Sequence, residues 1–266
     1  MHPFLFKIGN FPVGTYGLIL VIGFALGLTL AKRLGKRDGI PGESLSDLSV
    51  SLLLAGIIGA KVLMLIVDVA GGMPLSQVLD PAYLRAGGAV HGGIIAGTAA
   101  FFWRVKSLKL KIPVTLDALT PGVALGQAIG RLGCFSAGCC YGTSCHLPWA
   151  VTFTNPDAHW LSNTPLGQPL HPVQIYTMLA NLAVMGVLLL VRGRRAFLGQ
   201  VGALFFILEG LQRLITEIWR ADLDRGFVLG IPWLSTGRLT ALSLMVFGAI
   251  LLVLFRRHAR AEAKAA

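Results

Sequence analysis

The run Thr15-Tyr-Gly-Leu-Ile-Leu-Val-Ile-Gly-Phe-Ala-Leu-Gly-Leu-Thr-Leu-Ala31, followed by Lys32, Arg33, Lys36 and Arg37, decides what kind of fold this chain makes. Thr15 to Ala31 pass without a charge, close to the ~20 residues that carry an α-helix across ~30 Å of hydrocarbon. A cleavable signal peptide holds its positive charges before its apolar core. Here they come after it, so the run is expected to stay as an uncleaved membrane helix with the N-terminus outside.

Working outward, six further apolar runs follow: 48–69, 88–103, 113–130, 172–191, 199–219 and 237–255. The run at 48–69 is interrupted by Lys61 and contains Gly56-x-x-Gly59, a pattern that lets helix backbones approach closely. Basic clusters close alternate runs: Arg104, Lys106, Lys109 and Lys111; Arg192, Arg194 and Arg195; Arg256, Arg257, Arg260 and Lys264. With the first cluster these make fifteen of the 23 Lys and Arg residues. The intervening loops hold little positive charge, Arg85 in one and Arg225 beside Asp222 and Asp224 in another. Such asymmetry places the basic loops in the cytoplasm. The expected fold is an all-α, polytopic membrane bundle of seven transmembrane helices, N-terminus outside and C-terminus cytoplasmic. Residues 1–266 form one integral membrane domain, with a small extracytoplasmic cap around 131–171.

Composition agrees. Of 266 residues 55% are hydrophobic and 13% charged, with a mean hydropathy of +0.72, whereas soluble domains carry about 25% charged residues. The net charge of +11 sits in short inter-helix clusters rather than on a continuous basic face, which excludes nucleic acid as the partner.

One stretch stands apart: Gly126-Gln-Ala-Ile-Gly-Arg131-Leu-Gly-Cys-Phe-Ser-Ala-Gly-Cys-Cys-Tyr-Gly142, then Thr143, Ser144, Cys145 and His146. It holds all four cysteines of the chain. Outside the cytoplasm thiols tend to pair, so disulfides are one reading. A metal site from Cys134, Cys139 or Cys140, Cys145 and His146 is a second. A catalytic or lipid-accepting thiol is a third, and small packing residues a fourth. No cofactor motif is visible.

Ionisable side chains within a bilayer mark functional sites by default. Glu209, Arg213, Glu217 and Arg220 follow one another at spacings of four, four and three, which stacks them along one helix face. They read either as a structural ion ladder or as a ladder with an arginine to spare for an anion. Arg131, Arg213 and Arg238 all fall toward the outer ends of their helices, and guanidinium groups bind phosphate bidentately. That points to a phospholipid head group. His91, ahead of Gly92 and Gly93, is a candidate general base or an interfacial cap. His171, before Pro172, is a candidate site residue or a structural one.

Taken together, these residues resemble a known family. His91-Gly-Gly, Gly130-Arg131-x-Gly133-x-Phe135, Gly142, His171-Pro-x-Gln174-x-Tyr176, Tyr16-Gly17 and Arg213-x-x-x-Glu217 are similar to the signature of the prolipoprotein diacylglyceryl transferases, in order along nearly the whole chain. The resemblance implies an enzyme of the bacterial inner membrane. It would move a diacylglyceryl group from phosphatidylglycerol to the lipobox cysteine thiol of a secreted prelipoprotein. His91 would deprotonate the thiol, Arg131 and Arg213 would hold the phosphate, and Glu217 would orient an arginine. Tyr16, Gly92, Gly133, Gly142, Arg238 and His171 would shape the substrate site. The motif centre departs from the family, in which Gly-Asn-Phe-hydrophobic-Asn-x-Glu-x-x-Gly is usual. Cys134, Ala137 and Cys139 stand where the asparagines and glutamate belong, which makes Cys134 and Cys139 candidate catalytic positions. A paralogue acting on another acceptor, and a non-catalytic thiol-redox, metal- or lipid-binding membrane protein, stay as alternative readings.

Overall fold

The computed structural model describes residues 2–8, 11–80, 83, 87–221, 231 and 233–265. Arg85, Asp222, Asp224 and Arg225 lie outside the described residues. A short antiparallel hairpin, β1 (Phe4–Ile8) and β2 (Phe11–Gly14), leads into α1 (Thr15–Arg37). Then come α2 (Gly42–Ala70), a 3-10 turn (Leu75–Leu79), α3 (Val90–Ser107) and α4 (Ile112–Ala137). Next are β3 (Val151–Thr152), α5 (Pro156–Ser162), β4 (Pro169–Leu170), α6 (Val173–Gly193) and α7 (Gln200–Thr216). A 3-10 turn (Glu217–Trp219) and α8 (Thr236–Ala265) complete the chain.

The all-helical architecture is as expected. Among the described residues five helices are long and apolar enough to cross a membrane: Thr15–Arg37, Gly42–Ala70, Ile112–Ala137, Val173–Gly193 and Thr236–Lys264. The remaining two runs form α3, which carries Arg104 and Lys106 in its last turn, and α7, which is 17 residues long and holds Glu209 and Arg213. Apolar side chains such as Ile57, Ile58, Ile66 and Val67 on α2 stand exposed. In a soluble protein so many would form an unprotected patch, whereas lipid accepts them.

The chain divides into two compact units. Residues 35–112 form one of them. Its α2 and α3 meet through glycine: a Cβ on Gly92 would collide with the Gly59 carbonyl, and one on Gly93 would stand 3.0 Å from the Gly56 oxygen. The expected small-residue contact is therefore present. Lys61, the charge within the second run, donates from Nζ to the Tyr83 carbonyl at 3.1 Å.

The other unit comprises residues 1–34 and 113–266. Its α1 and α4 touch backbone to backbone at Gly27 and Gly122, where a Cβ on either would strike the other's carbonyl oxygen. Ala124, Val184, Leu188, Val201 and Phe205 make a buried cluster among α4, α6 and α7. Asp117, with no exposed surface, accepts the Gly199 and Gly202 N–H groups at 2.9 Å each and pairs with Arg195 at 3.2 Å. Its carboxylate thus caps the N-terminus of α7, where orphan amides and the helix dipole favour negative charge. Arg192 donates to the Asp117 and Leu34 carbonyls at 2.8 Å each, so it ties the end of α6 to α4 and α1.

Two expectations need correction. The helix expected to end near 130 continues to Ala137, which takes Arg131, Gly133 and Cys134 into its last turns. The four-residue ladder of Glu209, Arg213, Glu217 and Arg220 does not keep one helix face. The helix stops at Thr216 and tightens into the 3-10 turn, and Arg220 is extended, with φ −75° and ψ 137°. Arg220 instead forms an antiparallel bridge with Gly142.

Candidate active site

The site is assembled where α4 ends. Gly133 faces Tyr16 at the start of α1, and a Cβ there would lie 3.0 Å from Tyr16 Cδ2. Only a residue without a side chain lets α1 come this close. Beyond Ala137 the chain doubles back through two left-handed residues, Gly138 (φ +83°) and Cys140 (φ +61°). A non-glycine residue in that region is uncommon, so the fold pins this reversal. Thr164 Oγ1 donates to the Gly138 carbonyl at 3.1 Å, and the fully buried Gln174 donates from Nε2 to the Cys139 carbonyl at 2.8 Å.

The reversal brings the sulfurs of Cys134, Cys139 and Cys140 within 4.8 Å of one another. The Cys139 thiol donates to the Cys134 carbonyl at 3.7 Å, and all four cysteines are free thiols. Cys145 stays out of the trio, as does His146. The Cys145 N–H is taken by the Pro169 carbonyl at 3.0 Å, which commits it to the neighbouring strand. Hydrogen bonds from the Cys134 and Cys139 thiols, and then the charges of Arg220 and Arg131, hold the Cys140 thiol below the ordinary thiol range. Cys139, as the donor in this network and partly buried, is pushed up.

Arg131 acts on the thiol cluster and also, with Arg213, on Glu209 of α7. Gln212 donates to Glu209 at 3.0 Å. Arg213 pairs with Glu217 at 2.9 Å, both largely buried. Glu217 is braced from its far side as well. Ser235 donates its hydroxyl to Glu217 at 3.1 Å and accepts the Arg238 N–H at 3.2 Å, capping α8. A Cβ on Gly237 would collide with the Glu217 carboxylate. Arg238 itself donates from Nη1 to the Trp233 carbonyl at 2.7 Å. Among the described residues, Arg131, Arg213, Arg220 and Arg238 thus stand in the same unit as the carboxylates Glu209 and Glu217.

His171 and Gly142 form the next wall. The Gly142 N–H donates to the His171 carbonyl at 3.1 Å, and a Cβ on Gly142 would stand 2.6 Å from the His171 side chain. His171 Nδ1 lies 3.2 Å from the Tyr176 hydroxyl, which also accepts the Trp149 indole N–H at 2.7 Å. Trp219 packs edgewise on Tyr176 with centroids 5.7 Å apart. These rings, with Leu147 and Gln212, line a cavity of about 380 Å³. Trp149, Trp219 and Gln212 carry no spacing signal in the sequence, and only their convergence marks them. Tyr176, at the end of the His171-Pro-x-Gln174-x-Tyr176 motif, links His171 to Trp149 through its hydroxyl.

His91 and Gly92 belong to the other unit. His91 is the second residue of α3 and is exposed, while Gly92 is buried against Gly59 of α2.

Residues 3–254 match the family model described as prolipoprotein diacylglyceryl transferase. The chain is 31% identical over 248 residues to the phosphatidylglycerol–prolipoprotein diacylglyceryl transferase of Clostridium tetani, covering 93% of this chain and 95% of that protein. The Finegoldia magna protein of the same name is 31% identical over 256 residues, covering 95% of each. That of Gloeobacter violaceus is 32% identical over 270 residues, covering 98% of this chain and 96% of its own. The motifs at Tyr16, His91, Arg131, His171 and Arg213 thus fall inside one continuous family match, and this multi-pass membrane chain is a transferase belonging to the prolipoprotein diacylglyceryl transferase family.

Proposed function

We propose that the protein transfers a diacylglyceryl group from phosphatidylglycerol to the lipobox cysteine thiol of a prelipoprotein. The observation that carries this reading is a pair of arginines, Arg131 in the last turns of α4 and Arg213 held by Glu217 at 2.9 Å, both acting on the Glu209 carboxyl. A phosphodiester needs such a cradle, and the thiol route needs no cofactor. In the reaction the bond between the diacylglyceryl carbon and the phosphate oxygen breaks, with its electron pair leaving on glycerol phosphate. The thiol sulfur takes that carbon to form a thioether, and its proton passes to His91. Arg131 and Arg213 stabilise the charge that gathers on the leaving phosphate. Glu217 positions Arg213. Tyr16, Gly133, Cys134 and Cys139 shape the floor of the donor site, and Gly142, His171 and Arg238 its surroundings, while Gly92 serves the packing of α3 on α2 beside His91. Holding both substrates side by side supplies part of the rate.

In this reading the chain crosses the bacterial inner membrane seven times, with α3 and α7 as the two further spans. The N-terminus lies outside, the C-terminus in the cytoplasm, and residues 131–171 cap the site on the extracytoplasmic side. The basic clusters after alternate helices support that orientation.

Head-group release tests the proposal. Protein reconstituted in phosphatidylglycerol vesicles is expected to release glycerol phosphate only with a lipobox peptide, and not with a peptide whose cysteine is serine. Arg131→Ala is expected to lower the rate at least about 100-fold, the scale of removing a charge-stabilising donor. Release independent of the peptide, or unchanged in the folded Arg131→Ala protein, contradicts it.

A further inference from the structure

We propose that Cys134, Cys139 and Cys140 form a binding site for one soft d10 cation, Cu(I), held by three thiolates. The three sulfurs already stand within 4.8 Å of one another. Three sulfurs bound in a plane at ~2.3 Å from one ion are ~4.0 Å apart, so each pair has less than ~1 Å to close. The backbone that sets them is anchored. Cys134 rides on the last turn of α4, and Gln174 and Thr164, both fully buried, hold the carbonyls of Cys139 and Gly138. The site therefore exists before any ion arrives, and binding needs small side-chain rotations.

Donor type and number select the ion. An all-sulfur set favours soft cations. Structural zinc is almost always four-coordinate, and among the described residues no fourth histidine, cysteine or carboxylate joins the three thiols. Cu(I) accepts three sulfur donors. Charge points the same way. Three thiolates and one Cu(I) carry a net charge of minus two, and Arg131 and Arg220 both act on the cluster. Binding displaces the thiol protons the trio still holds to solvent, including the one Cys139 now gives to the Cys134 carbonyl.

The test is an anaerobic titration of the reduced, full-length protein in detergent with Cu(I), against a colorimetric Cu(I) chelator. One equivalent is expected to resist the chelator, with a thiolate-to-copper ultraviolet band and three sulfur neighbours at ~2.3 Å by X-ray absorption. Bound Cu(I) is also expected to shield Cys134, Cys139 and Cys140, but not Cys145, from alkylation mapped by mass spectrometry. That readout needs no variant. Cys139→Ser is expected to weaken binding at least 100-fold, and Cys145→Ser to leave it unchanged. The proposal is overturned if wild-type protein loses all its copper to the chelator, or if Zn(II) displaces Cu(I) at equal concentration. Unchanged affinity in a Cys134→Ser, Cys139→Ser, Cys140→Ser triple variant overturns it as well.

Discussion

Arg213 shows how a single charge is made useful in an apolar protein. Its partner Glu217 is one turn away, at 2.9 Å, and is itself gripped by the Ser235 hydroxyl and crowded by Gly237. Removing one member of a buried pair strands the other, so both residues depend on the start of α8 being in place. What the guanidinium adds over an ammonium is its planar fork, which can face Glu217 and a phosphate oxygen at once. Arg213→Lys is accordingly expected to raise KM for phosphatidylglycerol about tenfold, equivalent to about 1.4 kcal/mol, with the fold retained. A steady-state titration of donor lipid checks this, and an unchanged KM would mean that Arg213 serves only its ion pair.

Among the elements, α7 is the one whose position matters most, because its end carries Glu209, Gln212 and Arg213 to the site. Its other end is fixed by Asp117 of α4, which accepts the Gly199 and Gly202 amides and pairs with Arg195. Asp117→Ala leaves two amides and a guanidinium without their acceptor, and is expected to destabilise the protein by about 3–5 kcal/mol. Thermal unfolding in detergent measures it, and a change in Tm of under a degree would contradict the capping role. Asp117 also marks where the sequence stops being legible. Apolar runs and basic stops reveal helices because length and charge are local properties, and the runs at 15–31, 172–191 and 237–255 all fall on observed helices. A carboxylate near the start of a run does not announce that its partners lie 78 to 85 residues away. The same holds for the thiols. Spacing could not separate Cys139 and Cys140 from Cys145, since the choice is made by two left-handed residues and by the strand that takes the Cys145 amide. Nor did periodicity foresee Arg220 leaving its helix, because the 3-10 turn is drawn out by pairing with Gly142.

At the scale of the molecule, the unit formed by residues 1–34 and 113–266 carries two polar clusters on a helical scaffold. One is the Asp117 anchor, and the other is the arginine- and thiol-lined end of α4 beside an aromatic cavity. The family match runs across nearly the whole chain, and the departure from the motif of the family it resembles falls at Cys134, Ala137 and Cys139, two of which belong to the thiol trio. This changed centre is expected still to perform lipid transfer to a thiol. The most direct test is the intact mass of a lipobox peptide after incubation with the protein in phosphatidylglycerol vesicles. The expected result is a gain of one diacylglyceryl group, located on the cysteine, stable to neutral hydroxylamine as a thioether is, and absent with His91→Gln. A peptide of unchanged mass, recovered from folded and lipid-embedded protein, would contradict it.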